Sequence, residues 1–154
     1  MEALSREAIE ALGINFSGSR MDNGEYRFRL MAGEQFSSTG YIMTKMPDDI
    51  VGAWQKSHYH EKLWETYIVQ EGWIGYARLR DFEVKPELFL YRPEQIFSVP
   101  PGLAHNVFMP PGSLIHTVKH GDCSLAKDWH SSPRLDELLV GIGEQELILQ
   151  GKVI

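Results

Sequence analysis

The sequence predicts an all-β protein, a barrel or sandwich with short terminal helices. Strand-like runs recur at short intervals between about residues 25 and 120, with turn residues between them. Helical periodicity is almost absent from the same stretch. The 154 residues, 43% of them hydrophobic, suffice for one sizeable core. We therefore expect a single domain over residues 1–154, with its core barrel at about 24–120.

A short helix is predicted near each end of the chain. Ser5 can cap the first helix, at about 5–12, where an apolar stripe ends before a glycine. Pro133 suits the first turn of the second helix, at about 133–140. The segment 144–154 fits a strand and a helix equally well.

The strands are predicted from period-two alternation. In the first run, from residue 25, Tyr26, Phe28 and Leu30 alternate with arginines, which describes a half-buried strand. We expect Arg27 and Arg29 to face solvent. The further strands are predicted at 41–46, 50–60, 65–70, 73–80, 96–99, 103–109 and 114–120.

Prolines and glycines interrupt these strands or form the turns between them. Pro86 interrupts the run 82–91, which we interpret as an edge strand or a loop. Two Pro-Gly pairs, ending at Gly102 and Gly112, predict type II turns, in which proline sets a negative φ and glycine accepts a positive one.

Charge and the lack of targeting patterns limit the expected partners. The 15 basic and 21 acidic residues give a net charge of −6, which disfavours nucleic acid and favours a small-molecule partner. The first residues show no leader pattern, and no run of 18 apolar residues occurs, so we expect no membrane partner and a cytoplasmic protein. Cys123, the only cysteine, excludes an internal disulfide and suits a reducing compartment.

Residues 52–72 carry the strongest functional signal. His58 and His60 lie two apart, so on a strand both imidazoles face the same side. Glu65 follows a short break that could close a hairpin and place its carboxylate opposite them. His105, after a Pro-Pro-Gly turn, is the best candidate for a fourth ligand. Such donors suit a divalent metal, among which Fe, Mn, Zn and Ni are not distinguished.

This stretch resembles the first signature of the cupin superfamily. That signature reads Gly, five residues, His-x-His, four residues, Glu, six residues, Gly. Every fixed position is matched, by Gly52, His58, His60, Glu65 and Gly72.

The second cupin signature is met in part. Pro100, Gly102 and His105 match it, whereas Glu94 stands where glycine is expected and Met109 where asparagine is expected. The resemblance implies a cupin-type double-stranded β-helix (jelly-roll) barrel and a metal held by the three histidines and the glutamate.

Tyr67 and His116 are the candidate catalytic residues. Tyr67 lies two residues after Glu65 and shares its face on a regular strand. A phenol near a cation could have a lowered pKa and act as acid or base, although ordinary barrel lining is the alternative. His116 could carry a proton, but alternation over 114–120 does not tell which face is inside.

Four further residues are predicted to line a substrate pocket. Lys56 is in phase with His58 and lies close to Trp54. Val107 and Met109 follow His105 on the same strand face.

These features favour a metal-dependent enzyme acting on a small oxygenated molecule. The best hypothesis is an isomerase or epimerase that moves a proton on a sugar or sugar-phosphate-like substrate, because small cupins acting on such molecules look similar. The alternatives are an Fe(II)-dependent dioxygenase, a metal-dependent lyase with a tyrosine base, and a small-molecule-binding cupin without turnover. A homodimer is expected, since cupin relatives are often dimers.

Overall fold

Two facing β-sheets and three short helices make up the structure, a computed structural model that describes residues 3–32, 40–125 and 127–154. The helices are α1 (Arg6–Glu10), α2 (Pro133–Leu139) and α3 (Glu144–Gln150). The strands are β1 (Ile14–Arg20), β2 (Tyr26–Ala32), β3 (Gly40–Lys45), β4 (Ala53–Trp54), β5 (His58–Tyr59), β6 (Leu63–Glu71), β7 (Ile74–Leu79), β8 (Glu87–Tyr91), β9 (Ile96–Val99), β10 (Ala104–Met109), β11 (Leu114–Gly121), β12 (His130–Ser131) and β13 (Lys152–Val153). The predicted all-β class with short terminal helices is confirmed.

The chain passes repeatedly from one sheet to the other, as in a jelly roll. The first sheet has the strand order β1-β2-β3-β11-β6-β9. The second has the order β12-β5-β10-β7-β8-β13, and β4 also pairs with β10. Consecutive strands such as β5 and β6, or β10 and β11, lie in different sheets. Chain crossings of this kind bring residues from distant parts of the sequence into one interior.

Alternation along β6 shows how the interior is filled. Leu63, Glu65, Tyr67 and Val69 are buried and face the second sheet, whereas Trp64 faces outward and is 42% exposed. The inner face of this strand therefore carries both core residues and a carboxylate.

Apolar side chains form two cores. The main core lies between the sheets and includes Val69, Tyr76, Val107 and Ile115. The second core lies where Leu135 and Leu139 of α2 and Leu147 of α3 pack on the outer face of the second sheet. The outer face of the first sheet instead carries large side chains that are 36–47% exposed: Tyr26, Phe28, Leu30, Tyr41 and Trp64.

The two predicted Pro-Gly turns have the expected backbone. Gly102 and Gly112 have φ values of +80° and +74°. In the first turn, the N–H of Leu103 donates to the carbonyl of Pro100 at 3.4 Å. These turns set the start of β10 and of β11.

Glu94 adopts a conformation that usually requires glycine. Its φ is +71°, the one positive value at a non-glycine position among the described residues. Its N–H donates to the carbonyl of Val69 at 2.9 Å, which holds the turn before β9. Glu94 therefore has the backbone conformation that the glycine of the second cupin signature would adopt. A residue with a side chain adopts this conformation only with strain.

The predicted helices are confirmed, and residues 144–154 form both alternatives in turn, α3 and then β13. Ser5 caps α1, because its Oγ accepts a hydrogen bond from the N–H of Ala8 at 3.2 Å. The run 82–91 divides into a loop and β8, which lies between β7 and β13. None of the helices in the described segments is long and apolar enough to cross a membrane.

The prediction of a single strand over 50–60 is wrong. It is divided into β4 and β5, because the backbone of Ser57 bonds to the start of α2 instead of to a strand. The Ser57 N–H donates to Asp136 Oδ1 at 3.0 Å, and its carbonyl accepts from the N–H of Ser132 at 2.9 Å. Strand β1 was not predicted at all.

The predicted hairpin before Glu65 is also wrong. The chain between β5 and β6 crosses from one sheet to the other, so Glu65 faces the histidines across the barrel and not across a hairpin. Strand β11 pairs with β3 and β6.

Candidate metal centre

Three of the four predicted ligands, His58, Glu65 and His105, converge inside the barrel, and His60 lies beside Glu65. His58 and His105 lie directly opposite each other on β5 and β10, and Glu65 faces them from β6. Glu65 Oε2 is 2.8 Å from His105 Nε2 and 3.3 Å from His58 Nε2. Glu65 Oε1 is 3.4 Å from His60 Nε2. All four side chains are buried, and the donor atoms of His58, Glu65 and His105 all lie within 4.8 Å of one another.

The three imidazoles have the same tautomer, with the proton on Nδ1. Each Nδ1 lies against a main-chain carbonyl: that of Lys56 for His58 (2.9 Å), that of Leu103 for His105 (3.0 Å) and that of Asp128 for His60. Because a carbonyl only accepts hydrogen bonds, each Nδ1 carries the proton and each Nε2 keeps its lone pair. The three lone pairs face the Glu65 carboxylate.

This arrangement fits a cation. Four acceptors facing one another would repel if nothing positive lay between them. The buried Nε2 of His60 makes no hydrogen bond to the described residues, which leaves it free for a metal. Three imidazole nitrogens and one carboxylate oxygen are a donor set that suits a divalent transition metal.

The protonation states are also those that metal binding requires. Burial lowers the pKa of His58 to about 4, so its imidazole is neutral at pH 7. Burial alone would raise the pKa of Glu65, but the Lys119 ammonium, 3.6 Å from Oε1, holds that pKa well below its usual range. Neutral imidazole and ionised carboxylate are the forms that bind a metal.

A narrow cavity of about 50 Å³ adjoins the cluster. Its polar walls come mainly from the first sheet: Arg27, Arg29, Thr44, Thr117 and Lys119. His58, Glu65 and Tyr67 form its floor. A larger cavity of about 510 Å³ lies elsewhere, beside Tyr76 and Arg78, but its walls include none of the four ligands. We assign the site to the smaller cavity because the converging donor atoms lie there.

Comparison with solved structures identifies the fold. No family model matches the sequence, and no curated protein sequence matches it. Oxalate decarboxylase from Bacillus subtilis superposes with a TM-score of 0.59 and 13% identity, over 90% of this chain and 38% of that chain. The cupin domain of CENP-C from Drosophila melanogaster gives a TM-score of 0.52 and 14% identity, over 69% of this chain and 76% of that one. The chain has the cupin fold.

A third structure agrees. KdgF from a Halomonas species has a TM-score of 0.52 and 17% identity, over 69% of this chain and 86% of that chain. The present chain spans well under half of the oxalate decarboxylase chain, so it corresponds to one part of that protein. Identities this low establish the cupin fold alone.

Tyr67 lies beside Glu65, on the same face of β6, as the alternation predicted. Its hydroxyl donates to Glu65 Oε2 at 2.9 Å and lies 3.3 Å from His105 Nε2. The expected lowering of its pKa is not found in this environment. Burial, followed by the charge of Glu65, raises the pKa of Tyr67 well above its usual value, so the phenol is protonated at neutral pH.

His116 does not lie at the site. On β11, Thr117 and Lys119 face the interior, so His116 faces outward. Its Nδ1 is 2.6 Å from the Tyr41 hydroxyl, and its Nε2 contacts Gln70 on the outer surface. The prediction of a catalytic role for His116 is therefore wrong.

The predicted pocket residues also lie outside the cavity. The break after β4 changes the phase of the chain, so Gln55 and not Lys56 lines the cavity, and Lys56 is exposed. Trp54 packs on Phe108, and its Nε1 donates to the carbonyl of Ile142 at 2.7 Å. The remaining two residues predicted for the pocket, Val107 and Met109, face inward but belong to the main core.

Arg27 and Arg29 face the cavity, which reverses the expectation that they face solvent. Their apolar neighbours Tyr26, Phe28 and Leu30 point outward and are 39–47% exposed. The alternation was correct but the choice of face was not, because this part of the barrel interior is polar.

Two residues of the site carry no motif and were not predicted to take part. The Asp128 carboxylate accepts hydrogen bonds from three main-chain N–H groups between β5 and β6, those of Glu61 (2.6 Å), Lys62 (3.0 Å) and Leu63 (2.9 Å). Trp129 stacks on the His58 ring with centroids 5.5 Å apart. The segment after β11 therefore positions two of the ligands.

Proposed function

We propose that this cupin is a metal-dependent enzyme that transfers a proton on a small oxygenated molecule, as an isomerase or epimerase does on a sugar or sugar phosphate. The observation that supports the proposal is the convergence of three imidazole lone pairs and the Glu65 carboxylate next to the Tyr67 hydroxyl. A divalent metal, Fe, Mn, Zn or Ni, supplies Lewis acidity when bound, polarising a carbonyl or hydroxyl oxygen.

Tyr67 is the proton-transfer group of this proposal. Its hydroxyl lines the cavity, and its proton is held there by the raised pKa. Part of that rise comes from the negative charge of Glu65, which is offset when the carboxylate is a metal ligand. The protonated phenol gives its proton at Oη to a substrate oxygen, and the phenolate so formed takes a proton back from the neighbouring carbon, which is general acid–base catalysis.

The remaining side chains hold and enclose the substrate. His58, His60, His105 and Glu65 would hold the metal. Trp129 covers one face of the His58 ring and limits the entry of water. With His116 on the outer surface, His58 is the one imidazole among the described residues that line the cavity, and it is a proposed metal ligand, so Tyr67 is the proton carrier.

Elemental analysis of freshly purified protein is the first test. We expect about one divalent metal per chain in the wild type and loss of it in His60→Ala. His120→Ala is the matched control, because His120 is exposed and bonds to Thr66 Oγ1 at 3.0 Å on the outer surface. Equal metal content in both variants would contradict the ligand assignment.

Hydrogen exchange from solvent then tests the reaction. The metal-loaded protein is incubated in D2O without oxygen with hydroxy acids, sugars and sugar phosphates. We expect deuterium in carbon-bound positions of one class, and at least about 100-fold slower exchange in Tyr67→Phe with unchanged metal content. Consumption of dioxygen without exchange would establish a dioxygenase instead. Binding without any product would establish a cupin that only binds its ligand.

A further inference from the structure

Arg29 is a buried cation inside the barrel. It is 6% exposed. Its Nη1 donates to Ser19 Oγ at 2.7 Å, and its Nη2 contacts Met21 Sδ at 3.7 Å, both uncharged partners. No ion pair joins it to a carboxylate of the described segments. Burying a guanidinium without a counter-charge is costly, so a site of this kind fits an anion that is supplied from outside.

The nearest carboxylate is already engaged. Glu25 is fully buried, and its Oε1 pairs with Arg27 through Nε at 2.5 Å. Its Oε2 accepts a hydrogen bond from Gln55 at 3.1 Å. Glu25 therefore fixes Arg27 and Gln55 in the cavity wall, and its charge acts on Arg29 from a distance, without an ion pair between the two.

The cavity wall as a whole is cationic. Arg27, Arg29 and Lys119 line it, whereas Glu65 is the one carboxylate among the described residues that do so. Lys119 is 6% exposed, and its Nζ is 3.6 Å from Glu65 Oε1. Because Glu65 belongs to the ligand set, a bound divalent metal would add further positive charge to this wall. The wall beyond the ligand cluster therefore attracts an anionic group.

Strand register places the cationic end away from the metal ligands. Arg29 pairs with Ile42, Ile42 with Thr117, and Thr117 with Tyr67, in one row across β2, β3, β11 and β6. Three strand spacings separate the backbones of Arg29 and Tyr67, about 14 Å along the sheet. The side chains of Arg29 and Tyr67 both line the cavity that lies between these backbones.

We propose that Arg29, with Arg27 beside it, binds a carboxylate or phosphate group of the substrate. Guanidinium groups match these oxyanions in shape and can donate two parallel hydrogen bonds to them. The inference deepens the proposed function, on which the identity of the reacting end rests. The oxyanion site itself requires no metal and can be measured without it.

The test uses the full chain after metal removal by a chelator. Malonate and inorganic phosphate are added at constant ionic strength set with chloride, and binding is followed by thermal unfolding and by calorimetry. We expect at least one of the two to bind and to raise the unfolding temperature. Stronger binding of malonate assigns the site to carboxylates, and stronger binding of phosphate assigns it to phosphate esters.

Three variants decide the outcome. Arg29→Gln is expected to bind the oxyanion at least about tenfold more weakly, because a charged pair of hydrogen bonds is lost. Arg29→Lys keeps the charge without the paired donors, so it should fall between wild type and Arg29→Gln. Arg20→Gln is the matched control: it removes an exposed arginine from the neighbouring strand, where the guanidinium lies 5.8 Å from the Tyr26 ring, and should bind as the wild type does.

The proposal is overturned if neither anion binds the wild type, or if Arg29→Gln binds as tightly as Arg20→Gln. If Arg29→Gln is unfolded, the folded Arg29→Lys protein decides the test. A loss of affinity for the oxyanion in Arg29→Lys supports the proposal, and undiminished affinity refutes it. Metal content is measured in every variant. Metal binding without oxyanion binding refutes this inference alone, whereas oxyanion binding without metal refutes the proposed enzyme alone.

Discussion

Replacing Asp128 would show how much of the site depends on one buried carboxylate. Its side chain is fully buried and accepts the three N–H groups of residues 61–63 at 2.6–3.0 Å. These residues join His60 to the strand that carries Glu65. The carboxylate therefore fixes the crossing between the sheets, at the point where two ligands must keep their spacing.

The expected magnitude follows from the hydrogen bonds. Asp128→Ala leaves three donors without their acceptor, and a buried unpaired donor costs about 1–3 kcal/mol, less where water enters. We expect a total loss of about 3–5 kcal/mol in the free energy of unfolding, which is large for a domain of this size. Asp128→Asn keeps one oxygen and should lose about 1–3 kcal/mol.

Metal affinity gives a second, independent measurement. The main-chain carbonyl of residue 128, which faces His60 Nδ1, is retained in both variants. Any loss of affinity then reports displacement of the crossing, and we expect about 10–100-fold, as for other groups that orient metal ligands.

Urea unfolding of the metal-free protein and metal titration of the folded protein are the assays. Asp122→Ala is the control, because that carboxylate is exposed and bonds to the N–H of Ser124 at 2.9 Å; we expect less than about 1 kcal/mol. An Asp128→Ala protein within 1 kcal/mol of wild type, with unchanged metal affinity, would refute the reasoning.

Two further predictions concern the backbone and the surface. Glu94→Gly should raise the free energy of unfolding by about 0.5–1 kcal/mol in urea unfolding. The reason is that the strain of a positive φ exceeds the added freedom of glycine in the unfolded chain. Glu94→Ala keeps the β-carbon, so its free energy of unfolding should not rise. The five large side chains on the outer face of the first sheet expose roughly 80 Å² each, so a two-fold contact would remove about 800 Å², close to the apolar share of a standard interface. We therefore expect a homodimer in light scattering that Phe28→Glu converts to monomer, whereas Phe82→Glu, in a loop where Phe82 is 98% exposed, leaves it intact; a monomeric wild type would contradict this.

The candidate metal cluster was predictable from sequence because it depends on residue type and short spacing. His58 and His60 required only the two-residue period of extended chain, and Glu65 and His105 followed from the cupin signatures. The route by which they meet was not predictable. Glu65 reaches the histidines across the barrel, and nothing in the spacing distinguishes that path from a hairpin.

The main error of prediction concerned the direction in which polar side chains point. In β2 the alternation was correct, but the rule that apolar residues point inward assigned the wrong face to Arg27 and Arg29. That rule fails where the interior holds a polar site and the outer face carries aromatic residues. In β11 the two faces are equally polar in sequence, so alternation could not tell that His116 faces outward. Asp128 lies more than sixty residues from the N–H groups it accepts, so no local pattern could connect them.

The carbonyl groups that face the imidazoles of His58 and His105 have a consequence for substitutions at residues 56 and 103. A main-chain oxygen is present whichever amino acid occupies the position, so an exchange there leaves the acceptor for the Nδ1 proton in place. The backbone at these two positions, and not the side chain, therefore selects the tautomer of each imidazole.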